Sequence, residues 1–181
     1  MTRKEDAPMS IQMAVACPHY FYREWLAVDD PTSETIRFTS VVKDACGLDL
    51  PTDASPAPMF FEDLGSSAPC LLDFLLVGVD IGRFHRIEAF YLPIDFQDVR
   101  VVPARSVENA DEAKLISSLR LREVVATARS RMHLLDSEAF RSSAERYGID
   151  IDKDLLSALL VAYSEGLDAS ETANLPIFFS F

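Results

Sequence analysis

The chain has 181 residues, 49% apolar and 25% charged, an ordinary globular balance with material for one real core, which excludes general disorder. No apolar run reaches the roughly 18 residues that a membrane-crossing helix needs, and the first twenty residues, acids beside bases and then a short apolar patch, make a poor secretion signal. The formal net charge of −12 sets up a field that repels nucleic acid and anionic membrane, so neither is expected as a partner.

Three cysteines, Cys17, Cys46 and Cys70, are an odd number at wide spacings. That suits buried reduced thiols better than a disulfide framework, and with the poor secretion signal a cytoplasmic protein is expected.

In chain order, Met1 to Ala7 is charged and expected to fray. Ile11 to Ala16 and Tyr20 to Val28 read as two short elements parted at Pro18. The second carries Tyr20, Phe21, Tyr22 and Trp25, a cluster expected to bury against a sheet. Asp29-Asp30-Pro31 reads as a turn, and Ile36, Phe38 and Val42 predict a strand from Thr35 to Lys43. Asp44 to Ser67 collects prolines, glycines and serines around Phe60-Phe61 and reads as a long loop. A loop of that length is either functional or conceals an element.

Cys70 to Pro103 is the densest apolar stretch and predicts the middle of a sheet. Leu71 to Val79 reads as a strand covered on both faces, Asp80 to Arg83 as a turn, Phe84 to Leu92 as the return arm of a hairpin, and Val99 to Val102 as a third strand. Beyond Pro103 the pattern turns helical. Asn109, with Glu112 three residues on, predicts a helix start. Leu115, Ile116 and Leu119 then form one stripe, and Leu121, Val125, Ala128, Met132 and Leu135 a second on the opposite side, so the helix either breaks near Arg120 or is packed on two sides. Ser137 and Asp152 cap two further helices that Gly148 and Gly166 would end. Leu175 to Phe181 suits an edge strand.

Together these elements predict an α+β fold. An N-terminal antiparallel β-sheet, a meander around residues 71–102, is followed by a C-terminal helical segment of about three helices and a short aromatic terminal strand. In domain terms, residues 1–103 read as mainly β, 104–174 as a helical segment packed on or extending from it, and 175–181 as a terminal strand or tail.

Searches for chemistry return little. Asp150, Asp152 and Asp154 imitate the opening of a calcium loop, but Leu155 and Val161 stand where glycine and glutamate are needed. The helix pair around Gly148 resembles a helix-turn-helix only in outline, because acids open its second helix. Cys17 and His19 are too few for zinc, and no phosphate loop, dinucleotide fingerprint or serine-hydrolase elbow is present. Asp73 and Glu88 lack the lysine that would complete a nuclease pair, since Phe90 takes its place. No cofactor and no metal is expected.

What remains is contact. From Ala113 to His133, five bases face the single acid Glu123, in a chain that is acidic elsewhere. Such a face either pairs with acidic neighbours in its own fold or docks an acidic partner. The expectation is a non-enzymatic protein-binding or assembly protein of adaptor, chaperone or toxin-neutralising type, whose partner is another protein or a second copy. Its candidate surfaces are Arg120, Arg122, Arg129 and Arg131, and the tail residues Phe178, Phe179 and Phe181, although the tail reads first as a strand or plug in its own core. The alternative is a small hydrolase-like enzyme with Cys17 or Cys46 as nucleophile and His19, His85 or His133 as base.

Overall fold

The computed structural model describes residues 10–53, 57–79, 89–106 and 111–180. Six strands among them form one sheet: β1 (Ile11–Val15), β2 (Phe60–Gly65), β3 (Ala89–Leu92), β4 (Arg100–Val102), β5 (Ala113–Ser117) and β6 (Ile177–Ser180). Their spatial order is β2-β1-β6-β3-β5-β4. β1 runs antiparallel to both β2 and β6, β3 and β5 are parallel, and β4 returns antiparallel on β5. Helices cover the two faces, and the fold is α+β.

One face carries α1 (Pro18–Tyr20), the π-helical turn Phe21–Trp25 that continues it, and α2 (Pro31–Cys46). The other carries α3 (Ser67–Leu75), α4 (Ser118–Arg131), α5 (Glu138–Arg146) and α6 (Lys153–Ala173). Successive strand residues point to opposite faces. Thus Phe178 joins Phe21, Phe38 and Phe90 on the α2 side, while Ile177 and Phe179 join Met13, Tyr91, Leu71 and Tyr163 on the α6 side. Cover on both faces explains why the inner strands read as continuous apolar runs. The aromatic group around Trp25 does bury against the sheet, with Phe21 stacked on Phe178 at 4.8 Å between ring centroids.

Several local expectations are corrected. Residues 71–79 do not form a strand, because Leu71 to Leu75 completes α3. Its buried residues are Ala68, Pro69, Leu71, Leu72 and Leu75, of which Ala68, Leu71, Leu72 and Leu75 recur at the three- and four-residue spacing of one helix face, and Asp73 falls on the exposed side. An unbroken aliphatic run has no periodicity to separate the two possibilities. The sheet is therefore mixed and is not a meander around residues 71–102. The turn at 80–83 and the hairpin arm at 84–88 lie outside the described residues, as do Met1 to Ala7 and the cap at Asn109.

Thr35 to Lys43 is likewise helix, inside α2. Asp30 caps it, accepting from Ser33 N at 3.0 Å, and Pro31 occupies its first turn. The buried stripe is Thr35, Phe38, Thr39 and Val42, with Ile36 exposed. Two threonines disguise it, and each sends its hydroxyl to a carbonyl of the preceding turn, Pro31 O and Ile36 O.

The segment 44–67 conceals β2. Leu115 and Ile116 belong to β5 and bury on opposite faces of the sheet, so the helix begins only at Ser118. Ser117 makes that switch, its Oγ donating to Ile94 O at 2.7 Å and accepting from Leu119 N at 3.2 Å. The helix caps at Ser137 and Asp152 form as expected. Gly166, however, lies within α6, which continues to Ala173 and ends on Asn174 in the left-handed region. The terminal strand is present, but β6 is an inner strand between β1 and β3 and is not at an edge.

Candidate functional site

β2 is the outer strand beside β1, and among the described residues no strand pairs with its other side. β1 sends Ala16 N to Pro176 O, on the β6 side. Alternation then aims Met13 and Val15 at β2, where they pair with Glu62 and Phe60. The main-chain N–H and C=O of Phe61 consequently point to the open edge. Phe60 packs inward against the core shared with α6 and Leu64 is buried, whereas Met59 is 66% and Phe61 43% exposed.

Beside this edge lies a groove of about 120 Å³ between β2, α3 and the first half of α6. Leu64, Ala68 and Leu159 line its apolar interior, Leu155 and Ala158 form its exposed helical lip, and Glu62 and Asp63 are the charged residues among the described ones that line it. Asp63 accepts from the Ser10 hydroxyl and from Gly65 N, which hold its carboxyl below the usual carboxylate range. It is therefore anionic at neutral pH.

The sequence-derived candidates are placed differently. Arg120 donates to Gln97 O at 3.0 Å and Glu123 at 3.2 Å. Arg122 bridges from α4 to Asp168 and Glu171 of α6 at 3.0 and 2.8 Å, and these carboxylates hold its guanidinium even further above its ordinary value. Arg129 donates to the Ser164 hydroxyl at 3.0 Å. Arg131 is half-buried in the last turn of α4, where its charge complements the helix dipole. The basic face is thus largely engaged within the fold and ties α4 to α6. Phe178 and Phe179 are at most 1% exposed. Phe179 meets Tyr91 and Tyr163 edge-on at 5.5 and 5.8 Å. Phe181 lies outside the described residues.

The thiols and imidazoles are scattered. Cys17 and His19 are buried, and among the described residues the His19 Nδ1 finds no hydrogen-bond partner. Cys46 is half-buried at the end of α2, and burial pushes its thiol up despite Arg100. That opposes the thiolate a nucleophile needs. Cys70 is exposed on α3, and the exposed His133 directs Nδ1 to Ser130 O at the end of α4. His85 lies outside the described residues. Of the aspartates resembling a calcium loop, Asp152 is used to cap α6, accepting from Leu155 N at 2.9 Å. A second, open cavity of about 400 Å³ at the α5–α6 turn mixes Arg141 and Lys153 with Glu145 and Asp150.

Sequence reasoning missed the β2 edge because it read residues 44–67 as loop. The available signal was a short run, Phe-Phe-Glu-Asp-Leu, bracketed by Pro58 and Gly65. No protein-family model, curated protein or solved structure matches the chain.

Proposed function

We propose that this is a non-enzymatic protein-binding or assembly protein whose principal contact surface is the outer edge of β2. The observation that carries the proposal is an outward-facing strand backbone at Phe61 flanked by the exposed side chains of Met59 and Phe61. An open edge of this kind presents a row of donors and acceptors to another chain, and proteins usually blunt such edges unless they use them. The acidic character of the chain and its three cysteines, none of them in a disulfide, are in keeping with a cytoplasmic setting.

The test compares Phe61→Ala with Phe61→Pro. Proline removes the outward N–H while leaving the bonds of Phe60 and Glu62 to β1 in place. Partner capture from native extract, read by mass spectrometry beside circular dichroism of each variant, should fall partially with alanine and completely with proline. Undiminished capture by a folded Phe61→Pro protein would exclude β2 as the contact strand. Charge reversal at Arg129 and Arg131 is the parallel test of the basic face, and loss of the partner there with folding intact would move the contact surface to α4.

A further inference from the structure

On the basis that β2 is the contact strand proposed above, we infer that its occupant is an extended basic segment of another protein. That segment adds a strand to the sheet and places an aliphatic side chain in the groove beside α6. Three features converge on this occupant.

The open backbone at Phe61 supplies main-chain bonds that any extended segment can satisfy, so it provides affinity without choosing a sequence. The groove supplies the choice. Its interior of Leu64, Ala68 and Leu159, beneath the lip of Leu155 and Ala158, is apolar and has room for one aliphatic side chain. Its rim carries Glu62 and Asp63, and among the described residues no lysine, arginine or histidine lines it. Residues two positions from the inserted aliphatic one share its face of the added strand and would lie within reach of Glu62, which favours lysine or arginine there.

The same charges disfavour a second copy. Joining β2 to β2 antiparallel would bring two acidic strands together, with the two Glu62 carboxylates directly opposite when the pairing centres on that residue, and each chain brings a net charge of −12. A basic segment gains from both the local rim and the overall field, and its binding should weaken steeply with salt.

The probe is a short synthetic peptide with one central valine and lysine or arginine two residues to either side of it, titrated against the full chain by fluorescence anisotropy, with a glutamate-for-base counterpart as control. The basic peptide should bind and the acidic one should not. Glu62→Lys should weaken binding about ten-fold, Ala158→Phe should fill the groove and abolish it, and Phe61→Pro should abolish it as well, with circular dichroism unchanged in all three. Equal binding of both peptides, unaffected by Glu62→Lys but lost in Phe61→Pro, would overturn the basic occupant and leave β2 as the contact strand. Failure of both peptides together with a concentration-dependent dimer that Phe61→Pro dissociates would replace the occupant by a second copy. Failure of both with a monomer at all concentrations, and no capture from extract, would overturn the occupant and the contact strand together.

Discussion

Gly166 sits mid-helix because two side chains from the sheet leave no room for anything larger. A methyl at that position would overlap the end of Met13 and crowd Phe60. Alanine is otherwise the better helix former by about 1 kcal/mol, so Gly166→Ala sets a propensity gain against overpacking that typically costs about 1–3 kcal/mol. Met13 is fully buried and its methyl has little space to retreat into, so a net loss of about 1 kcal/mol is expected in urea unfolding. The loss should largely vanish in a Met13→Leu background, whose shorter side chain clears the contact. A persistent loss there would place the conflict elsewhere. The cysteines make a second residue-scale case. With its thiol pushed up by burial, Cys46 carries less thiolate at pH 8 than a free cysteine does. Alkylation followed by mass spectrometry should modify the exposed Cys70 first, Cys46 more slowly, and the buried Cys17 only on unfolding. Fast modification of Cys46 or Cys17 near neutral pH would revive a cysteine-based enzyme.

Between elements, exposed ion pairs set angles more than they supply stability. Arg122 joins α4 to α6 through two carboxylates, but its side chain and its partners are all more than a third exposed. Solvent screening limits the bridge to about 0.5–1 kcal/mol, so Arg122→Ala should lower stability by no more than that, and by less in high salt. Asp136, beyond α4, receives Lys153 at 2.5 Å and Arg141 at 3.4 Å. The lysine hydrogen bond, chiefly, holds its carboxyl below the ordinary value. A depressed folded-state pKa contributes stability above the unfolded value of about 3.9, and the contribution is lost as pH falls through the folded value. Unfolding midpoints of the natural chain and Asp136→Asn should therefore differ at pH 7 and converge in acid; a constant difference would exclude a titrating carboxylate as the cause. Elements announced by caps were legible from sequence, as at Ser137 and Asp152. Those hidden by composition were not. Two threonines on the buried stripe of α2 erased its period, and the run at Leu71 is aliphatic in both readings. β2 was concealed by the turn-forming residues around it, and with it went the surface proposed here for partner contact. The arginines were legible as a basic face, but which carboxylates they meet depends on α4 lying against α6, a relation that no local pattern encodes.

At the scale of the molecule, the sheet is assembled from both ends of the chain. β6 contributes Ile177, Phe178 and Phe179, each at most 1% exposed, and lies between β1 on one side and β3 on the other. Burying three such side chains is worth about 5–9 kcal/mol on the scale of about 1.5–3 each, comparable to the whole net stability of a domain. A chain ending at Asn174 would lose this contribution, and would also expose the inner edges of β1 and β3 and the Phe21 ring that stacks on Phe178. It should fail to fold, giving a collapsed or aggregating product without a cooperative thermal transition. A chain ending at Pro103 should fare no better, because β3 would lack both of its neighbours, β5 and β6. Supplying residues 175–181 in trans as a peptide should restore a cooperative transition to the first truncation, since β6 makes its contacts through an extended segment that an added strand can reproduce. A truncation at Asn174 that folds unaided would show that the helices and remaining strands can close the core without β6.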